Sequence, residues 1–389
     1  MKANTKSSWG YVHKDGHVYD AIVIGAGFAG LSTAYHLAKK GLKNIMVIEH
    51  EKKLGGHASG RNAGMIRQAI ADPVLGKLAC QGRRYLSRCE RKGWKGTKLA
   101  PNGSLLLTKN KEMDELRKTA AILKNEGLPA RWFSREDAVR LVPLLEGGDF
   151  EKALFCGSDA MVNIDFLIQG FYQALKGQRV PVLMGYTLQS VKKQGNYFCV
   201  KTADKQFVAR RLVNAAGAWA GAVARKASAT PIPLKAYRRH LLLAKPFRPF
   251  NASWPFVWDL SHHFYFRPQG GSLLLSACDK GEIKNIETAV RKETIDPKIK
   301  GVLKKKLNGF SNKFRAISIQ SIKSGLRTMV PDNRFVIGED PRLKGFFWVA
   351  GLGGHGVTTS FSVGNLASDL ILGRKREKSL VNALSPGRF

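Results

Sequence analysis

The run Val18–Glu49, VYDAIVIGAGFAGLSTAYHLAKKGLKNIMVIE, constrains the fold more than any other part of the chain. Ala21–Ile24 is short and wholly apolar, the pattern of a strand buried on both faces. Gly25, Gly27 and Gly30 then spell G-x-G-x-x-G, with Phe28 and Ala29 inside the motif. The first glycine permits the tight turn, the second lets the backbone approach a pyrophosphate, and the third lets helix and strand pack closely. Leu31–Lys39 reads as the helix whose N-terminal amides and dipole hold phosphates. Ile45–Ile48 reads as the next strand, and Glu49, followed by His50, ends it where a carboxylate can accept from ribose hydroxyls. A lone glycine motif is weak, but strand, helix, strand and terminal acid together predict binding of an ADP-containing cofactor.

The chain has 389 residues, which favours two domains over one core. With 44% apolar and 24% charged residues it is of ordinary globular composition, and no apolar run approaches the roughly 20 residues of a bilayer span. Residues 1–17 carry charge without a hydrophobic core and read as a polar extension rather than a secretory signal. The five cysteines (Cys80, Cys89, Cys156, Cys199, Cys278) are scattered, with no C-x-x-C, so neither structural bridges nor a metal site is expected. A reducing compartment follows, with the cytoplasm as the expected location. The excess of 64 Lys and Arg over 29 acids gives a net charge of +35. Such a field attracts anionic metabolites, nucleic acid or an anionic membrane surface, yet the charge is dispersed along the chain, the pattern of a solvated surface.

Two later segments share the character of the first. RLVNAAGAWA (Arg211–Ala220) is a short strand running into a turn of small residues, and Phe346–Leu372 reads strand, glycine loop, helix, with the helix over Val357–Leu372 and Gly373 at its stop. Between them Ile164–Lys176 reads as a helix, and Thr187–Lys193, Tyr197–Thr202 and Gln206–Arg210 as strands, the first two joined by a Gly195-Asn196 turn. Helices are expected at Lys111–Glu126, at Arg135–Leu141 and across a basic region, Glu287–Leu307, broken at Pro297; strands at Lys235–Ala244, Phe256–Trp258, His263–Arg267 and Ser272–Ser276. The expected fold is α/β: a Rossmann-type domain (18–79, 150–229, 324–389) with a largely antiparallel α+β substrate domain (80–149, 230–323) inserted twice into it.

The motifs GAGFAG with Glu49, LGGHASGRNAG (Leu54–Gly64), NAAGAWA (Asn214–Ala220) and GLRTMVPD through GLGGHG (Gly325–Gly356) resemble those of the FAD-dependent D-amino-acid oxidase superfamily. The likeness runs from Val18 to Gly373 and is nearest to the D-arginine dehydrogenase-like and glycine/sarcosine oxidase branches. It implies a Rossmann domain of the glutathione-reductase type holding FAD. The ribityl and ring parts would lie along Ser59, Gly60, Arg61, Asn62, Ala63 and Gly64, with Ala215, Ala216 and Gly217 beside them. The late loop Gly351, Gly353, Gly354, His355 and Gly356 would face the pyrimidine edge, where amides at a helix start stabilise an anionic reduced ring.

The same resemblance assigns Arg327 and Arg239 to a substrate carboxylate, Tyr265 to its support and His355 to a place beside the flavin. A planar fork of donors suits a carboxylate, and strand alternation lets only one of Arg238 and Arg239 face inward, the likeness favouring Arg239. His57 lies near the position where some relatives link FAD covalently; the branch with a histidine there and free FAD makes non-covalent binding the expectation. The loop Met65–Ile70 is largely apolar, and Trp94–Lys98 offers Lys95 and Lys98 rather than an acid, so neutral or acidic substrates fit better than cationic ones. Leu274 stands where oxidases of the sarcosine type carry a lysine for reaction with O2, which favours a quinone- or dye-type electron acceptor. The expected activity is oxidation of the amine of a small amino acid, either a D-amino acid or glycine and its N-methyl forms. The superfamily also contains tRNA-modifying amine oxidases and FAD-binding assembly factors, the two alternatives. Substrate stereochemistry and oligomeric state are not legible here.

Overall fold

Four segments of the chain converge on one parallel sheet. In the computed structural model, which describes residues 17–94, 97–245, 250–291 and 295–389, the order is Val182–Met184, Ile45–Glu49, Ala21–Ile24, Leu212–Asn214, Phe346–Ala350 and Val336–Glu339. Only the last pair is antiparallel. Ala21, Ile22, Val23, Val213, Phe346 and Trp348 are fully buried, as strands covered on both faces require. The helices Phe28–Lys39 and Ser360–Ile371 pack together on one face, and Pro73–Arg91 lies against the second of them.

A nine-stranded sheet forms the other layer: Gly281–Ile283, Lys235–Ala244, Ser272–Ser276, Phe264–Gln269, Phe256–Asp259, Ser104–Thr108, Lys152–Cys156 and Ala130–Phe133, with Ile319–Met329 also paired to Lys235–Ala244. All its pairings are antiparallel except Phe256–Asp259 with Ser104–Thr108. Its core is built around Phe264, Phe266, Phe310 and Phe314. The α/β fold with a second, largely antiparallel layer is as the sequence implies. The expected cuts at 150 and 324 fall beside and inside strands of this second sheet, Lys152–Cys156 and Ile319–Met329, and the cut at 80 falls inside the helix Pro73–Arg91.

Other boundaries shift for local reasons. The strands Leu188–Gln194, Tyr197–Thr202 and Gln206–Ala209 form a separate four-stranded sheet with Val18–Tyr19, and Gln194 faces Tyr197 across the expected Gly195-Asn196 hairpin. The helix after the late glycine loop begins at Ser360 rather than Val357, because the chain still turns there: the amide of His355 donates to Leu352 O (2.8 Å) and that of Thr359 to His355 O (3.0 Å). The basic region splits into Ile286–Arg291 and Ile299–Phe310. Most of the expected N-terminal extension, and Lys95, lie outside the described residues. No described helix is long and apolar enough to cross a membrane.

Candidate active site

Every cofactor motif emerges at the C-terminal end of a parallel strand: Gly25 follows Ile24, Glu49 ends its strand, Ala215 follows Asn214 and Gly351 follows Ala350. That edge is where open α/β sheets hold ligands. A cavity of about 510 Å³ runs along it, walled by Gly25, Gly27, Phe28, Ala29, Glu49, His50, His57, Ser59, Arg61, Asn62, Ala63, Ala215, Ala216, Gly217, Gly351, Gly353, Gly354 and Gly356. Of the residues expected at the cofactor, Gly30, Gly60, Gly64 and His355 do not line the cavity.

The glycines are required by close approach. Gly25 has φ +106°, and a Cβ there would lie 2.5 Å from Ala215 O; one on Gly30 would lie 1.8 Å from Gly25 O. Glu49 is fixed before any ligand arrives, since Oε2 accepts from the Ala26 amide at 2.6 Å and Oε1 from the Glu51 amide at 2.8 Å. Ser59 Oγ accepts from the Phe28 amide at 3.0 Å, tying the motif loop to the segment after Glu49. Arg61 braces that segment, donating from Nε to Gly56 O and from Nη1 to Ser324 O, both at 3.0 Å. His57 Nε2 pairs with Glu51 Oε1 at 2.8 Å, and its ring packs 4.5 Å from that of Trp219.

The other end of the cavity is walled by Arg239, Tyr265 and Arg327, from three strands of the nine-stranded sheet. Arg239 pairs in register with Gly325 and Tyr237 with Arg327, so Arg239 and Arg327 share one face of adjacent strands. Arg238 points the other way, bonding Ser324 Oγ at 3.1 Å and Ala289 O at 3.2 Å. Among the described residues the Nε and Nη1 of Arg239 and the hydroxyl of Tyr265 are buried with no hydrogen-bond partner. Buried polar groups are rarely left so, and three on one wall mark a place for a ligand. Burial lowers the pKa of the Arg327 guanidinium, with Arg239 adding to the effect, and burial raises that of the Tyr265 phenol, opposed by Arg327 and Arg239. Arg327 also lies against the late loop: a Cβ on Gly354 would come within 2.7 Å of its Cζ.

His355 stands near Arg67 and Arg327, and burial together with these two cations lowers its pKa to about 3. It is neutral at any ordinary working pH. Leu274 packs with Ala63, Leu241 and Tyr265. Trp94, by contrast, belongs to the aromatic core with Tyr35, Phe171 and Phe361 and does not line the cavity. Arg67 is the residue that the sequence reading passed over. It lies in the loop read as apolar, and its guanidinium rides over Trp258, 4.1 Å from the ring centroid.

The chain belongs to the FAD-dependent oxidoreductase family whose model is called DAO, which it matches over residues 20–370. FAD is its cofactor. The residues present fit that group, with a glycine cradle, a pinned carboxylate for the ribose and a cavity reaching from there to the arginines. The chain is similar to glycine oxidase of Bacillus subtilis (strain 168), 25% identical, covering 94% of this chain and 96% of the relative. It is 24% identical to the mitochondrial sarcosine dehydrogenase of Homo sapiens over 93% of this chain, but spans only 40% of that relative's length. Among solved structures, L-proline dehydrogenase from P. horikoshii shares the fold with a TM-score of 0.84 and 22% identity, covering 96% of this chain and 98% of that one.

Proposed function

We propose that the protein oxidises the amine of an amino acid, a D-amino acid or glycine and its N-methyl forms, to an imino acid that hydrolyses in water to the 2-oxo acid and ammonia, or methylamine where the substrate is N-methylated. The observation that carries this reading is the set of unpartnered buried donors on Arg239 and Tyr265 at one end of the cofactor cavity, beside Arg327. Relatives named for glycine and sarcosine agree with it.

FAD, when bound, supplies the two-electron acceptor. The chain's own residues bind and orient. Arg327 and Arg239 grip the carboxylate with parallel N–H donors, and the Tyr265 hydroxyl donates to the same group. Three fixed contacts leave the α-carbon little freedom, and such positioning supplies most of the rate. His355, its pKa lowered to about 3, offers the amine no proton, and oxidation requires that the amine bind deprotonated with its lone pair free. The apolar side chains of Leu241, Tyr265 and Leu274 keep bulk water from the α-carbon.

The test is an anaerobic screen of D- and L-amino acids and N-methyl amino acids against the purified yellow protein. Loss of flavin absorbance with at least one compound is the expected result. Bleaching by none, with FAD fully loaded, refutes the reading and favours a binding or assembly role.

A further inference from the structure

The substrate end holds more positive charge than one carboxylate neutralises. Arg239 and Arg327 line the cavity; Arg67 does not, but it lies close enough to act on Arg327 and is stacked on Trp258, whose ring lies 4.8 Å from that of Tyr265. Arg67 is therefore one aromatic layer from a residue of the cavity wall. Its position is set by the backbone on both sides: the Arg67 amide donates to Thr358 Oγ1 at 3.0 Å and the Gln68 amide to Asp159 Oδ1 at 2.8 Å. Stacking covers one face of the guanidinium and leaves the N–H donors at its edge free to meet a ligand.

Nothing nearby cancels this charge. None of Arg67, Arg239 and Arg327 forms an ion pair among the described residues. The groups that most affect Arg327 are Arg239, Tyr265, Cys278 and Arg67, with no carboxylate among them. Asp159 and Glu115 are within electrostatic reach of Arg67. Asp159, however, accepts from the amide and Nε2 of Gln68 and from Ser104 Oγ, and burial raises its pKa; Glu115 is exposed on the helix Met113–Asn125. Near Arg239, Asp279 is bonded to the ring and amide of His240, and the cation of Lys306 offsets its charge. A monocarboxylate satisfies the Arg239–Arg327 pair and leaves Arg67 unmatched, whereas a second carboxylate on the substrate would compensate it.

We propose that Arg67 is a specificity-determining residue that receives a second negative group of the substrate, so that the site prefers an amino dicarboxylate, with one carboxylate on Arg239 and Arg327 and the other on Arg67. The inference rests on the amine-oxidation reading and narrows it.

The experiment compares matched pairs on the FAD-loaded protein: alanine with aspartate in both stereochemical series, and sarcosine with N-carboxymethylglycine. The expected kcat/KM for the better dicarboxylate exceeds that of its monocarboxylate partner at least tenfold. Succinate should likewise inhibit competitively at lower concentration than butyrate. Arg67→Gln, with flavin content and melting temperature checked against wild type, should lose at least tenfold more kcat/KM on the dicarboxylate than on its partner, mostly through KM. Arg67→Lys should recover part of it, since charge returns without the fork. Bleaching by monocarboxylates alone, or an equal loss on both members of a pair, overturns the role of Arg67 and leaves amine oxidation standing. Bleaching by neither class overturns both.

Discussion

The two ends of the cavity are built on opposite terms. At the cofactor end the polar side chains are already occupied: Glu49 by two backbone amides, Ser59 by a third, Arg61 by two carbonyls. At the substrate end the Arg239 donors and the Tyr265 hydroxyl have no partner among the described residues. The first end is a mould that holds its shape unaided. The second carries unmet hydrogen-bonding groups that a ligand would have to partner, which is what would make it selective.

The largest effect expected from this difference is at Gly25. Gly25→Ala places a methyl group 2.5 Å from Ala215 O at a φ that side chains avoid, so the mould itself must deform. The variant should purify without FAD, read as absorbance near 450 nm; full flavin content would show that the glycine cradle tolerates far more than its geometry implies. At the opposite end Arg327→Ala should keep its flavin and lose about 2–4 kcal/mol of transition-state binding, read as kcat/KM, with partial rescue by Lys. An unchanged kcat/KM would mean that the carboxylate sits elsewhere.

Two histidines, His36 buried and His355 half-buried, sharpen the contrast. His36, on the buried face of the motif helix, and His355, beside the arginines, both have pKa values lowered to about 3. Each binds a proton more readily unfolded than folded, so stability is complete above the unfolded value near 6.5 and falls as pH drops below it, by up to about 1.4 kcal/mol per pH unit for each group. An anionic ligand at Arg67 and Arg327 should relieve this for His355 but not for His36. Melting curves of His36→Gln and His355→Gln between pH 5 and pH 7.5, with and without succinate, would separate the two. Ser59→Ala removes one hydrogen bond and should weaken FAD by about 1 kcal/mol, read by equilibrium dialysis of the apoprotein. The flavin should leave with denatured protein; a yellow precipitate would implicate His57.

The smallest effect expected is that of salt. Turnover of the best substrate should change little up to about 0.3 M, since the dispersed surface charge is screened while contacts inside the cavity are sheltered. Steep loss of a bound nucleic acid over that range, with no bleaching by any free amino acid, would favour the tRNA alternative instead.

The cofactor end was legible because its parts are local. Strand, glycine turn, helix and Glu49 follow one another within a single motif, and each residue's task is fixed by its immediate neighbours. The substrate end assembles Arg239, Tyr265 and Arg327 by long-range pairing, and only the resemblance singled them out. Arg67 escaped notice because its neighbours Met65, Ile66 and Ile70 are apolar, and the stack on Trp258 is a tertiary contact. The helix Pro73–Arg91 was missed although Asp72 caps it, its side chain accepting from the Leu75 amide, and Pro73 opens it; its many basic residues hid the buried stripe of Leu75, Leu78, Ala79 and Leu86. The strands Ser104–Thr108 and Lys152–Cys156 were missed because they pair with each other across a long insertion.

The guanidinium of Arg327 lies against the Cα of Gly354, in the loop expected to face the flavin. A carboxylate seated on Arg327 would therefore press on the backbone expected to face the flavin ring. Thermodynamic reciprocity then ties the two together: an inert carboxylate that shifts the flavin midpoint potential must bind the oxidised and reduced protein with affinities differing by the equivalent factor.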